Sequence, residues 1–529
     1  MTDSKFQIEA GPDCSDGLLP EEIPGNVSAT PQGLGAERVM RSVGVNTVYQ
    51  VASQLAPAIA AVGAIPFLLR RLGPEAFGIV TLFSTALIYF MMLDLGLGRA
   101  ATRFIAQSLE GGRPDDVRRY FWGSILLLTG GGLVVSVGCF FATPTLVSSY
   151  LKVSPAYYRA TVESFYLICI AIPLVALTAT LRGFLEAWGR FPFISIVTAC
   201  SGVGLYLLPA LAVIVGGGLV SVAVTYVAVR LAMGAAFAMG CLSMKDRPSL
   251  QPIFDLRAVK TMLSFAGWLS ISNIIGTAML YGDRFLLGSC VGMAAVASYS
   301  MPMDVIGRMQ ILITSFCAVL FPLMSRLDQS GSTQFHTVYR GAVAIGLSVM
   351  TPLTISMVLL VPSLMKLWLR ARSTPDAVFA AQVFLAGAVV QATASIAFTA
   401  LHARGRSDLT ARIHIAEFPI YCLAFYWAAV HFGVKGAALA WLGRVIVDFI
   451  GMVVVLRLHK GDGRSIVTPE LVAVLVSVGT LLTVALSTRN GVISGCVICA
   501  LTWLWTWRTL LDQEMQIPLA RMIFGRWGR

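Results

Sequence analysis

The chain has 529 residues, of which 57% are apolar and only 12% charged, with a mean hydropathy of +0.77. A soluble protein carries about 25% charged residues, so this composition excludes a water-soluble globule and points to an integral membrane protein. The net charge of +12 sits in short loops without an interleaved aromatic patch, which excludes a nucleic-acid surface and fits the positive-inside rule instead.

In chain order, residues 1–40 are polar and rich in Gly, Pro, Asp and Glu, and read as a disordered cytoplasmic tail. The first apolar run, Val43 to Leu69, is too long for a cleavable signal and reads as a retained helix. A span needs about 20 apolar residues, and that rule gives about fourteen. They fall at 43–69, 77–98, 120–143, 160–181, 191–214, 219–242, 259–281, 294–323, 336–361, 377–401, 412–431, 436–456, 468–487 and 491–508. Lys and Arg concentrate in the loops that share a side with the N-terminus, so both termini are expected in the cytoplasm.

The chain also repeats itself. LEAWGR at 185–190 returns as LHARGR at 401–406, and GLVSVA at 218–223 returns as GVKGAA at 433–438. A fainter echo links Arg71–Gly73 with Leu286–Gly288, and all three pairs are separated by about 215 residues. Six spans lie between the copies, and an even number preserves orientation, so the halves are expected to be parallel repeats. The expected architecture is an all-α integral membrane protein, with two parallel six-helix repeats around a central cavity and two extra C-terminal helices. Residues 41–244 form the first bundle, 245–258 a cytoplasmic linker and 259–460 the second bundle. Residues 461–510 hold the two additional helices, and 511–529 form a basic cytoplasmic tail.

The informative residues are the polar ones inside apolar spans. Arg230, Arg308 and Arg444 each lie near mid-membrane, where a cation costs about 3 kcal/mol or more unless it faces water, a carboxylate or an anionic ligand. Arg230 and Arg444 sit at nearly equivalent places in the repeat, preceded by Tyr226 and Trp441, which suggests cationic posts with aromatic faces for sugar stacking. The blander reading is that these arginines tie helices together. Asp304 and Asp448 lie four residues from Arg308 and Arg444, so each offers an intrahelical pair. Asn46, Gln50 and Gln54 form a polar stripe on the first span, and Asn273, Thr277 and Tyr281 form another on the seventh. Asp94, Asp283 and Arg284 are placed near span ends, where charge is cheap. His414 and Glu417 suit either proton relay or pairing with Arg404 or Arg412. Pro173, Pro209, Pro302, Pro322 and Pro352 are expected bending points.

Chemistry of other kinds finds little support. Ten cysteines are present, nine in or beside apolar segments, and Cys496 and Cys499 form a CxxC without a second copy or nearby histidines. The five histidines are dispersed, so no zinc spacing arises. No nucleotide-binding motif is present. The longest outer loops, 144–158 and 362–376, offer Asp376 and no paired carboxylates, which speaks against a membrane polymerase or ligase.

The run RLGPEAFG at 71–78, then DLGLG at 94–98 and Arg103, resembles the opening of Wzx-type polysaccharide flippases of the multidrug/oligosaccharidyl-lipid/polysaccharide exporter superfamily. Asp283, Arg284, Gly288 and Tyr299 resemble that family's corresponding second-half turn. The resemblance covers about residues 41–460. It implies a non-enzymatic flippase of the bacterial inner membrane that moves an oligosaccharide on a polyprenyl pyrophosphate by alternating access. It implies no cofactor, a proton or sodium gradient as energy source, and membrane lipids, a polysaccharide polymerase and export machinery as partners. A drug/cation antiporter of the same superfamily and a peptidoglycan-precursor flippase remain as alternatives. The excess of arginine over Asp304 and Asp448 favours an anionic cargo.

Overall fold

The computed structural model describes residues 53–92, 97–244, 251–253, 255–329 and 334–458, with a few isolated positions beyond. Among them the chain is helical throughout, without a strand. The helices are α1 (Ser53–Leu72), α2 (Pro74–Met92), α3 (Leu97–Glu110), α4 (Pro114–Tyr150), α5 (Pro155–Ala187), α6 (Phe191–Ile214) and α7 (Leu219–Leu242). There follow α8 (Leu256–Cys290), α9 (Met293–Ile306), α10 (Gln310–Gln329), α11 (Gln334–Leu369), α12 (Pro375–Ala403) and α13 (Ser407–Leu458).

Among the described residues, ten stretches are long and apolar enough to cross a bilayer. The last of them breaks at Gly433, where φ is +60° and ψ −137°, a conformation that only glycine adopts cheaply. It therefore supplies two of the expected spans, 412–431 and 436–456, on either side of the break. Two expected spans, 191–214 and 219–242, match α6 and α7 at both ends. The expected spans 468–487 and 491–508, with Cys496 and Cys499, lie outside the described residues.

Two repeated segments fold alike. α5 and α12 each begin at a proline preceded by Ser154 or Thr374, which suits the first helical turn because proline has no N–H to leave unpaired. Each ends in the same left-handed glycine cap. Gly189 and Gly405 have φ of +69° and +71°. Arg190 N donates to Leu185 O and Arg406 N to Leu401 O, both at 3.0 Å. This six-to-one bond satisfies carbonyls that the helix end would otherwise leave open. The third echo does not hold: Gly288 lies inside α8, and the turn glycine equivalent in role to Gly73 is Gly292, with φ +127°.

α5 and α12 are also the centres of packing. α5 meets α2, α3, α4 and α7, while α12 meets α9, α10, α11 and α13. α12 is the more enclosed of the two, 83% buried against 56% for α5, whereas α4 is only 6% buried. On α4 the exposed side chains are large and apolar, Leu133, Val134 and Phe141 among them, as a lipid-facing surface requires. α8 bridges the groups, touching α2, α3 and α4 as well as α9 and α13.

The groups meet most closely where α2 lies along α9. Gly78 makes this possible, since a Cβ there would overlap the Met293 carbonyl. Polar contacts reinforce the same end. Lys152 Nζ donates to Cys290 O at 2.5 Å and Lys152 N to Gly288 O at 3.2 Å. Trp368 Nε1 donates to Val62 O at 2.6 Å, and Ser154 N to Glu75 Oε1 at 2.7 Å.

Candidate functional site

The polar interior begins at α8. Asp283 and Arg284 lie seven and six residues inside its end at Cys290, not at the span end expected from hydropathy, and both are buried. Arg284 is 4% exposed, a position at which a guanidinium needs partners on more than one side. It donates Nη2 to Asp304 Oδ1 at 2.6 Å and Nη1 to Thr85 Oγ1 at 2.9 Å. Tyr281, one turn earlier on the stripe, places its ring 5.8 Å from the guanidinium. Asp283 accepts from Tyr299 Oη at 2.6 Å.

Arg308 lies on a 3-10 turn, Gly307–Met309, that interrupts the helical path between α9 and α10. Pro302 lies one turn and a half before it. Such a break in a long apolar helical path is a common place for a hinge. The expected pairing of Arg308 with Asp304 is not made, because Asp304 is taken by Arg284. Arg308 reaches instead to α6 and donates to Tyr206 Oη at 3.1 Å. Tyr206 faces Asp304 and Arg284 as well, and its other neighbour is Tyr226 on α7.

Tyr226 leads to Arg230, one turn on. Arg230 is 4% exposed. Its Nη1 finds only the Met233 thioether, at 3.9 Å, and its Nε is buried without a hydrogen-bond partner. A thioether is a weak acceptor, so this cation keeps most of its hydrogen-bonding capacity unused. Met233 lines a cavity of about 390 Å³, bordered by Phe90, Thr102, Val175 and the Arg182–Glu186 pair, which is 2.7 Å long.

Arg230, Arg284, Arg308, Asp304, Tyr206 and Tyr226 thus form one cluster drawn from both sides of the molecule. Within it Arg284 pairs with Asp304 and adjoins Asp283, Arg308 reaches Tyr206, and Arg230 joins the group only through Tyr226, so three guanidinium groups share the cluster with two carboxylates.

Arg444 approaches the cluster only at Asp283. It stands over the Tyr421 ring at 5.5 Å and does not pair with Asp448, which lies 3.3 Å from His414 Nε2. Counted from the repeated glycines, Arg230 is 12 residues past Gly218 and Arg444 is 11 past Gly433, a slip of one residue that turns the side chains to different faces of their helices. Trp441 is a packing wedge: its ring lies edge-on to Phe384 at 5.1 Å and fills the space over Gly387. His414 and Glu417 do not pair with Arg404, which binds Asp328 at 3.5 Å.

Gln54 is exposed on α1 and Thr277 is buried on α8. Asn46, Gln50, Asp94 and the Asn273 side chain lie outside the described residues. Among the described residues, no group of three or more His, Cys, Asp or Glu side chains could hold a metal ion.

Sequence reasoning missed Tyr206 and undervalued Arg284. A charged pair set in an apolar run was the available signal for Arg284; a lone tyrosine in an apolar helix gives none.

The profile of a family described as "Polysaccharide biosynthesis protein" matches residues 43–328. The chain is 27% identical to a putative O-antigen transporter of Shigella flexneri over 409 residues, covering 76% of this chain and 95% of that protein. Among solved structures, the fold is similar to that of the lipid II flippase MurJ in an inward closed conformation. The TM-score there is 0.65 at 12% identity, over 88% of this chain and 100% of that one. It is also similar to an inward-facing multidrug resistance MATE family transporter of the MOP superfamily, with a TM-score of 0.63 at 14% identity, over 83% and 95%.

Proposed function

Since the chain belongs to the polysaccharide biosynthesis protein family, we propose that it is a flippase for lipid-linked oligosaccharide. The cargo is a sugar repeat unit on a polyprenyl pyrophosphate, moved across the bacterial inner membrane for surface polysaccharide assembly. The protein acts without covalent chemistry, with both termini in the cytoplasm, and delivers its cargo to a polymerase.

The observation that carries this reading is Arg230, a buried cation with unused donors beside a cluster of positive balance. Such a site attracts a diffuse anion and repels an organic cation. Pyrophosphate is the anionic part of the cargo, and Tyr206 and Tyr226 add phenol hydroxyls and ring faces suited to a sugar. The name of the Shigella flexneri relative supports the same cargo class.

The movement follows from the seam. With the N-terminus inside, the α1–α2 turn, Lys152 and Gly292 face outward, so the structure is closed on that side. Outward release then requires α2 and α9 to part at Gly78 and Met293, and Arg308 stands on the hinge turn between α9 and α10. The halves move as parallel repeats, 41–244 against 259–460, joined by the linker at 245–258.

Reconstitution tests the reading. Protein in liposomes is given a fluorescent polyprenyl-pyrophosphate sugar, a fluorescent lipid II and a cationic dye. Transport of the sugar lipid is expected. Transport of the dye alone indicates an antiporter, and transport of lipid II alone indicates a peptidoglycan-precursor flippase.

A further inference from the structure

A second polar cluster is centred on α13 and borders the cargo cluster at Asp283. Glu417 is 7% exposed, and neither of its carboxyl oxygens has a hydrogen-bond partner. No cation lies within ion-pair distance of it among the described residues. An ionised carboxylate in that position costs several kcal/mol more than the neutral acid.

The groups facing it can be named element by element. On its own arm are His414, one turn before, and Tyr421, one turn after, whose buried hydroxyl is also unpartnered. Across the Gly433 kink come Asp448 and Arg444. α12 brings His402 against His414. α8 brings Asp283 toward both Tyr421 and Arg444, with Arg284 beside it, and α9 brings Tyr299. Arg444 lies over the Tyr421 ring with its Nε unpartnered. It therefore has two available seats, the aromatic face and the Glu417 carboxylate.

We propose that Glu417 is the proton-carrying residue that couples this transporter to a pH gradient. The inference rests on the transport reading above. With the proton on, Glu417 is neutral and Arg444 rests on Tyr421, as the structure shows. Deprotonation breaks the carboxyl O–H bond. The proton passes to water on the side to which the transporter is open. The carboxylate left behind draws Arg444 away from Tyr421. Tyr421 and Arg444 both face Asp283, which is hydrogen-bonded to Tyr299 and adjacent in sequence to Arg284, so the displacement reaches the cargo cluster. A metal cation fits poorly here, because the Arg444 guanidinium is a neighbour of the same carboxyl group and repels it.

The test uses the full-length protein in liposomes. Infrared difference spectra across a pH titration should show the carbonyl stretch of a buried protonated carboxyl group. Glu417→Gln should erase it, and Glu417→Asp should keep a shifted band, which also shows that the site still folds. In the same liposomes, an imposed pH gradient should accelerate wild-type transport of the fluorescent sugar lipid, and Glu417→Gln should abolish that acceleration. A band that survives in Glu417→Gln overturns the proposal. So does a gradient response that survives, or acceleration by sodium at fixed pH. If the band behaves as expected while wild-type protein moves no sugar lipid, the proton site stands and the cargo assignment fails.

Discussion

Arg284 of α8 holds Asp304 of α9 at 2.6 Å, and this bond leaves Arg308, on the hinge turn after α9, free to reach Tyr206 across the molecule. One pairing thus decides another. It ties the bridging helix to the hinge and turns an apparent intrahelical pair into a contact between the two groups of helices.

Breaking that pair from one side should be costly. Arg284→Ala leaves Asp304 without its partner, and removing one member of a buried pair destabilises by about 3–5 kcal/mol. Thermal unfolding of the purified protein in detergent should show a marked fall in midpoint. The double variant Arg284→Met with Asp304→Leu should recover part of the loss, because no charge is then stranded. An unchanged midpoint in Arg284→Ala would show that the pair is solvated.

The outward seam makes a second prediction. At Gly78 an added Cβ meets the Met293 backbone carbonyl, which cannot rotate aside. Gly78→Ala should therefore hold α2 and α9 apart. Trp368→Phe loses one hydrogen bond to Val62, about 1 kcal/mol, and should shift the same equilibrium by about fivefold. The rate at which a membrane-impermeant thiol reagent labels Met293→Cys reports the opening. Labelling should rise in both backgrounds, most in Gly78→Ala, and equal rates in all three would contradict the closed seam.

Gly189→Ala and Gly405→Ala offer a comparison of the repeats. Each forces a side chain into a left-handed cap, at about 1–2 kcal/mol. Because the two caps share φ and hydrogen bonds, the losses in unfolding midpoint should be similar. A large effect at one position alone would show that the caps play different roles.

These caps also show how much the sequence revealed. Both were visible as repeated hexapeptides, because a helix stop is written locally, in a glycine and the residues before it. The spans were visible for the same reason, as hydropathy is a local sum. Partner choice was not. Asp304 has Arg308 one turn away on its own path yet binds Arg284, and Asp448 has Arg444 yet lies against His414. Those choices depend on which helices pack, and the sequence does not state that. Trp441 illustrates the same limit, since its use as a wedge depends on Gly387 of another helix. Arg230 was legible because a lone cation in an apolar span is costly wherever its neighbours lie.

Charge sign at Arg230 is the most direct test of the central claim. The cargo's pyrophosphate is a diffuse anion, which a point charge can hold, so Arg230→Lys should keep part of the activity. Arg230→Ala should lose more. Arg230→Glu should lose most, because it adds repulsion of the cargo to the lost attraction. The measurement is the rate of fluorescent polyprenyl-pyrophosphate sugar transport in liposomes, with equal insertion of each variant verified. The account predicts wild type above Lys, Lys above Ala and Ala above Glu. Glu transporting the sugar lipid as well as Ala does, or gaining transport of a cationic dye, would contradict an anion-binding site.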